Sequence, residues 1–498
     1  MTWETWLPLL ILCSSLVPGL IIFGLGEERY RLRTSLNMLG ATLKLVLTGV
    51  LVWRVYQGAI YKVSFSILPG LELVLHADAL SVLFVSLSTV LWFVTTLYAV
   101  GYLEGSPFRS RFFGFFSLCV SSTIGIALAG NLITFLIFYE MLTLATYPLV
   151  VHRGTSAAVR GGRIYLLYTL AGGTVLLMAV AWLMSLVGPL AFVATGSLDA
   201  YGATHGTELR IIFFMLIAGL GVKAALVPLH GWLPNAMVAP APVSALLHAV
   251  AVVKAGAFGI VRVVYDLYGI EFARDLGLLS PLLVMASFTI VYGSLRALYQ
   301  DDLKRRLAFS TVSQVSYIAL GVATFGPLAS IGGIVHLVHQ GLMKITLFFC
   351  AGNLAETLGI HKVSEMDGVG RRMPWTMAAF TVGALGMIGV PPVAGFFSKW
   401  YLGLGGLLAG EPWVIPVLVA STLLNAAYFL PILYAAWFKP QQGAWPEEHP
   451  RGRLETGWML LLPPLVTAAL ALLAGLFANT PFSALEWAKL IAAREYLL

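Results

Sequence analysis

Charge is scarce in this chain. Only 11% of its 498 residues are charged, while 59% are hydrophobic and the mean hydropathy is +0.88. A soluble domain would carry roughly a quarter charged residues, so a soluble enzyme is excluded. The apolar runs are too long for barrel strands and read as membrane helices. Cysteine is scarce too. Cys13, Cys119 and Cys350 lie far apart in apolar stretches, without metal or disulfide spacing, and read as inert buried thiols. No haem, flavin, nickel or iron–sulfur motif is present, so neither a cofactor nor a metal is expected. Low-complexity tracts are missing. The loops 189–209 and 438–456 are too short to hold a nucleotide or redox cofactor. The N-terminus lacks a basic region and a small-residue cleavage site, so its first apolar run reads as a retained helix. Acid is scarcest where it matters most. Of 23 acidic residues, only Glu140 is expected well inside an apolar run.

What is present is a succession of about fourteen spans of roughly twenty residues. They centre near 7–24, 35–53, 78–100, 112–129, 131–151, 164–188, 211–238 (broken), 243–263, 277–295, 307–325, 329–354, 375–407 (broken), 413–437 and 457–477. The fold expected is an all-α polytopic membrane protein. Every second loop is basic, with Arg29, Arg31 and Arg33, then Arg109 and Arg111, then Arg153, Arg160 and Arg163. Further along come Arg296, Lys304, Arg305 and Arg306, then Lys362, Arg371 and Arg372, then Lys439, Arg451 and Arg453. The opposite side is left with Arg54, Lys62, Arg210, Arg262, Arg274, Lys489 and Arg494. The positive-inside rule places the richer side in the cytoplasm and both termini outside, in a cell inner (plasma) membrane. The net charge of +7 is therefore read as topology, not as nucleic-acid binding.

Five basic residues fall inside spans: Lys44, Lys223, Lys254, Lys344 and Lys399. Lysine in hydrocarbon is costly, so each is a functional candidate. Burying an ammonium lowers its proton affinity towards the range where it exchanges protons at neutral pH. The densest stretch is 219–262, GLGVKAALVPLHGWLPNAMVAPAPVSALLHAVAVVKAGAFGIVR. It holds Lys223, Lys254, His230 and His248 among Pro228, Pro234, Pro240 and Pro242. Proline breaks a helix, and a break at membrane depth is tolerated only where it lines protein or a water-filled cavity. A counterpart lies at 375–407, where Pro391 and Pro392 precede Lys399 by about two turns. Lysines on opposite sides of a proline break in two halves are what an inverted repeat would give.

Together with FYEMLTLATYPLV, DDLKRRLAFSTVSQVSYI, HLVHQGLMKITLFF and GVPPVAGFFSKW, this stretch resembles the antiporter-like subunits of respiratory complex I and of Mrp-type multisubunit sodium/proton antiporters. The resemblance runs roughly from His76 to Lys399. It implies fourteen helices with two inverted five-helix repeats, the seventh and twelfth helices broken. The expected divisions are 1–100, then 101–265 and 266–437 for the two repeats, then 438–498. It also implies roles. Glu140 would pair with Lys223 of the broken seventh helix. Lys254, with His248 alongside, and Lys344 would form a central relay. Lys399 would gate exchange with the outer side. Two positions depart from the pattern: Asn235 stands where an aspartate is usual, and Gln340 where a relay histidine falls, although His336 aligns.

Blander readings stand beside these. Lys223 could be a structural ion pair, Lys344 could bind carbonyls of a neighbouring break, and His230 could be a capping or interface residue. His336 and His339 share a helix face; without a third ligand they suggest a proton relay rather than a metal. His76 and Asp78 open the third span in a structural role, and Lys44 is given no transport role. The leading expectation is a proton-translocating subunit, closest to an Mrp D-type subunit, working with other membrane subunits in the bilayer. A proton-pumping subunit of a complex I-like oxidoreductase or membrane-bound hydrogenase, or a docking subunit that moves no ion, are the alternatives. Sodium as a second cation stays open.

Overall fold

The computed structural model describes residues 3–449 and 454–496. Arg451 and Arg453, two of the loop charges, lie outside the described residues. Among the described residues, twelve helices are long and apolar enough to cross a membrane. The first half holds α1 (Leu7–Phe23), α2 (Tyr30–Tyr56), α3 (Ala79–Tyr102), α4 (Arg109–Ala127), α5 (Leu132–Val150), α6 (Ser156–Val187) and α7 (Gly202–Lys223). Then come α8 (Ala241–Tyr268), α9 (Leu279–Leu298), α10 (Leu303–Ala323) and α11 (Pro327–Leu358). A broken pair follows, α12 (Pro374–Ile388) and α13 (Gly395–Leu408), and then α14 (Val414–Phe438), α15 (Trp458–Leu476) and a short C-terminal α16 (Ala484–Glu495). Counting α10 and the broken pair with the twelve gives the fourteen expected spans. Helix α10 is too rich in Arg, Ser and Thr to pass as apolar, yet it is buried along nearly its whole length.

Starts and stops follow the residues. Asp78, Asn131, Thr155 and Asp302 cap α3, α5, α6 and α10, each side chain accepting a backbone N–H of the first turn. Helix α7 ends at Lys223, where Ala225 turns left-handed (φ 57°) ahead of Pro228. The freed backbone is satisfied locally: the Trp232 indole donates to the Val222 carbonyl (2.6 Å) and the Val227 N–H to Thr289 Oγ1 (3.1 Å). Helix α12 ends at Gly389, whose φ of 96° suits glycine.

Helix α8 runs through the centre and is buried over its whole apolar window. It is irregular, with π turns at Leu246–Val250 and Val263–Tyr268. Such turns often mark functional sites, and the first contains His248. In a bilayer, helices associate through close packing and small residues rather than water exclusion. At Gly256 a Cβ would run into the backbone of Leu220, Lys223 and Ala224, so α7 meets α8 where the break begins.

Three features differ from the sequence reading. Residues 54–77 are not a plain loop. Strands β1 (Tyr61–Leu68) and β2 (Leu71–Ala77) form an antiparallel hairpin on the face opposite the arginine-rich loops. The loop 189–209 is shorter than expected, because α7 begins at Gly202. Arg262 and Arg494 are not loop charges. Arg262 is 1% exposed inside α8, and Asp266 beside it is a second acid buried in a span, so Glu140 is not alone. Arg262 donates to Asp78 Oδ1 and Oδ2 (3.0 and 2.8 Å), Asp266 Oδ2 (2.7 Å) and Ser81 Oγ (2.7 Å). Arg494 of α16 bonds the same two aspartates (3.0 and 2.9 Å) and Glu495. This knot ties the C-terminal helix to α3 and α8. At its outer edge, burial works to raise the Asp78 carboxyl, but Arg262 and Arg494 outweigh it and hold it well below the usual range. Glu495 is pushed up to about 7, first by burial and then by Asp266, against the pull of Arg494.

Candidate functional site

Lys223, Lys254 and Lys344 are fully buried, and Lys399 is half-buried. Lys223 stands on the last residue of α7, where its Nζ donates to the Tyr139 carbonyl and lies 3.3 Å from the Tyr139 ring centroid. Tyr139 is held by its own hydroxyl, which donates to the Gly219 carbonyl (3.0 Å). Glu140, the next residue on α5, is close enough to interact electrostatically with Lys223, but no ion pair within 4.0 Å joins them. The direct pair expected from sequence is replaced by the carbonyl and ring of Tyr139. The Glu140 carboxylate packs on α6 at Gly173, where a Cβ would collide with it, and its Oε1 is buried with no hydrogen-bond partner.

Lys254 on α8 makes one bond, to the Leu337 carbonyl of α11 (2.7 Å). One residue before Leu337 stands His336. Its Nδ1 is 2.8 Å from Ser398 Oγ, beside Lys399, and it interacts electrostatically with both Lys254 and Lys399. Helix α11 thus carries the line of charge from α8 to the second break. Lys399 donates to the carbonyls of Met387 and Ile388 (3.1 and 2.7 Å), freed where α12 ends, and to Thr422 Oγ1 (3.0 Å). It also lines an open groove of 520 Å³ between α13 and α14.

Lys344 reaches the same place by another route. It donates to the Leu307 carbonyl (3.1 Å) and Ser310 Oγ (2.6 Å) of α10. The Tyr428 hydroxyl lies 2.8 Å from Ser310 Oγ and 2.5 Å from Asn425 Oδ1. Asn425 Nδ2 donates to the Met387 carbonyl (3.0 Å), which also accepts from Lys399. Ser310, Tyr428 and Asn425 thus complete an unbroken chain of hydrogen bonds from Lys344 to Lys399. Neutral polar residues in apolar helices carry little sequence signal; an asparagine in the middle of LVASTLLNAAYFL was the one available.

Unpaired buried polar atoms are uncommon, yet they crowd this line. Both ring nitrogens of His248 and His339, Nε2 of His336, both amide atoms of Gln314 and Gln340, and the Tyr317 hydroxyl are buried without protein partners. Buried polar groups of this kind hold water where there is room. His248 stacks on Phe348 (4.4 Å between centroids) and interacts electrostatically with Lys344. His230 is set apart. Its ring packs between Tyr292 and Phe309, as an interface residue would, and no hydrogen bond ties it to the lysines. Asn235 leaves its amide on the Gly231 carbonyl (2.7 Å), exposed. Amines, imidazoles and hydroxyls in such a row can pass a proton by short hops, while the amides orient the groups and any water between them.

Comparison with known proteins places this geometry in a family. Residues 129–430 match the family model described as NADH:quinone oxidoreductase/Mrp antiporter, TM, and residues 70–113 match NADH-Ubiquinone oxidoreductase (complex I), chain 5 N-terminus. The chain is 37% identical over 437 residues to the N-type subunit of the NADH-quinone oxidoreductase of Desulforudis audaxviator, covering 84% of this chain and 85% of that protein. It is 27% identical to the D-type subunit of the Na(+)/H(+) antiporter of Alkalihalophilus pseudofirmus, covering 93% and 92%. Its fold matches a chain of the Mrp complex from a Dietzia species with a TM-score of 0.86 at 24% identity, over 100% of this chain and 98% of that one.

Proposed function

The chain belongs to the NADH:quinone oxidoreductase/Mrp antiporter membrane-subunit family, and from that premise we propose that it translocates protons as one subunit of a larger membrane assembly. The observation that carries the reading is the line of buried lysines joined through α11 and through Ser310, Tyr428 and Asn425. A proton enters near Glu140 and Lys223. The two do not touch, so water or a side-chain movement passes the proton between them. Charging Lys223 repels charge on Lys254 across the contact at Gly256. Lys254 hands the proton on through His336, Lys344 exchanges it with Ser310 and the Tyr428 hydroxyl and with water beyond them, Asn425 holds that hydroxyl in place, and Lys399 releases the proton at the second break. Gating at Lys399 suits its position at the open groove between α13 and α14. The chain's two repeats would divide at about residue 265, with the arginine-rich face in the cytoplasm and both termini outside a cell inner membrane.

An Mrp D-type role rests on the likeness along nearly the full length of the antiporter's D-type subunit. A pumping subunit of a complex I-like enzyme is favoured by the higher identity to the oxidoreductase's N-type subunit, and hydrogen ions are the cargo in either case. Sodium would enter only with the first. The docking-only alternative draws on Asn235 and Gln340, which remove a charge and an imidazole. Against it stand the lysines, three buried and Lys399 half-buried, with no ion pair to any of them among the described residues. Proton flux in vesicles carrying the assembled complex is the test. Lys223→Ala should abolish it while partner subunits still co-purify. Normal flux in that variant would falsify the relay as drawn. Mass spectrometry of the co-purified subunits separates the two assemblies: quinone-reducing or iron–sulfur subunits mark the redox complex, and small membrane subunits alone mark the antiporter.

A further inference from the structure

Lys44 is a buried lysine that the central line does not use. It stands on α2, away from both breaks, with 0% exposure. Its Nζ donates to Ser15 Oγ of α1 (2.5 Å), which shares a 2.9 Å hydrogen bond with Ser121 Oγ of α4. The ammonium lies 4.6 Å from the Trp92 ring centroid on α3. Among the described residues no carboxylate pairs with it. It neither snorkels to the surface nor sits in an ion pair, the two ordinary fates of a lysine in a span.

Lys44 is also one rung of a ladder. Arg33, Asn37, Lys44 and Thr48 occupy the same buried face of α2, at helical spacing. Each meets a hydroxyl on a neighbouring helix. Arg33 donates to Ser110 Oγ (2.7 Å), Ser117 Oγ donates to Asn37 Oδ1 (3.4 Å), Lys44 reaches Ser121 through Ser15, and Thr48 meets Thr89 Oγ1 (3.1 Å). At the arginine-rich face the ladder opens on Glu27. That carboxylate is 45% exposed and accepts from Arg33 (3.5 Å) and from the backbone N–H groups of Arg109 and Ser110 (3.0 and 2.9 Å). Along the ladder, Asn37 Nδ2, Ser88 Oγ and Trp92 Nε1 are buried with no protein partner. Unmet polar atoms beside a row of hydroxyls are the partners that a buried water takes.

We propose that this stripe is a second proton path, leading from Glu27 at the arginine-rich face to Lys44, and that Lys44 is a proton-binding site outside the central line. A proton taken up at Glu27 passes along water and hydroxyls, each oxygen accepting one proton and giving up another, until the Lys44 amine becomes an ammonium. Release runs the same steps backwards, so charge balances at every stage. Arg33 keeps its proton throughout and holds the Glu27 carboxylate at the mouth. The site is placed to act on the central line. Helix α3 carries Trp92 and lies directly on the middle of the bundle: a Cβ at Gly341 would meet Leu87 of α3 at 3.1 Å and the Ala249 carbonyl at 3.2 Å.

The coupling to transport rests on the function proposed above, and the test separates the two. The complete complex is reconstituted in vesicles and proton flux is driven by an imposed membrane potential. Lys44→Met, Lys44→Arg and Asn37→Leu are compared with Lys223→Ala, flux being expressed per assembled complex. Lys44→Met and Asn37→Leu are expected to lose most of the flux. Lys44→Arg is the decisive variant. It keeps the charge and the contact with Trp92 but cannot release a proton, so it too should be inactive. A purely structural Lys44 would be rescued by arginine, and normal flux in Lys44→Arg or Lys44→Met overturns the proposal. If neither Lys44 variant assembles, Asn37→Leu and Ser121→Ala decide: normal flux in both overturns it and loss in both supports it. Normal flux in Lys223→Ala would instead strike at the central line.

Discussion

Replacing Arg262 by leucine should loosen the hairpin end of the molecule. Arg262 makes four hydrogen bonds of 2.7 to 3.0 Å, three to carboxylate oxygens of Asp78 and Asp266 and one to Ser81. Both acids are nearly inaccessible, with side chains 10% and 1% exposed. Removing one partner of a buried pair costs about 3–5 kcal/mol, because the other charge is left without compensation. Arg494 still reaches both aspartates, at 3.0 and 2.9 Å, so the lower end of that range is expected. At about 1.4 kcal/mol per tenfold, local opening should become roughly a hundredfold more frequent. Hydrogen exchange of the purified complex reads this directly, with faster exchange in α16 and in the first turn of α3. Adding Asp78→Asn alone should recover part of the loss, since one uncompensated carboxylate is then gone while Arg494 stays paired with Asp266 and Glu495. A cost below about 1 kcal/mol, the size of an exposed pair, would refute the reasoning.

Other outcomes follow from the same geometry. Tyr428→Phe removes the hydroxyl between Ser310 and Asn425; it should lower proton flux while costing only about 1 kcal/mol of stability, as one hydrogen bond does, and unchanged flux would remove the Lys344 branch. Glu495 has its carboxyl raised from 4.5 to about 7, so the folded chain holds that proton more tightly than an unfolded one. Its contribution is therefore full at acid pH and is lost as pH rises towards about 7. Exchange of α16 should quicken over that interval, and Glu495→Gln should flatten the response. Gly256→Val should prevent α7 from seating on α8, and the expected reading is loss of assembled complex rather than of flux per complex.

The sequence announced its own oddities well. Each buried lysine was visible because a charge in an apolar run has no cheap explanation, and both breaks were visible because proline and glycine interrupt helices in a fixed way. Lys254, Lys344 and Lys399 all stand where that reasoning placed them. Partnerships were harder to read. Glu140 and Lys223 are neighbours that form no ion pair, because the Lys223 ammonium goes to the carbonyl and ring of Tyr139 instead, and nothing in the order of residues reveals which atom a flexible lysine reaches. The neutral links Ser310, Tyr428 and Asn425 were silent because such residues are unremarkable one at a time. Arg262 misled for a related reason. At the edge of a predicted span it passes for a loop charge, and only its contact with Asp78, far away in the chain, reveals it as buried. The hairpin escaped because attention to apolar runs overlooks the alternation in YKVSFSIL and LELVLHA.

The most direct test of the central claim is proton flux through the assembled complex carrying Lys254→Met. Lys254 is fully buried and makes a single hydrogen bond, to the Leu337 carbonyl. Methionine fills nearly the same space, and a buried charge replaced by a packed apolar side chain is often neutral or stabilising. Assembly should therefore survive while flux is lost. A Lys254→Met complex that assembles and moves protons at the normal rate would contradict the account.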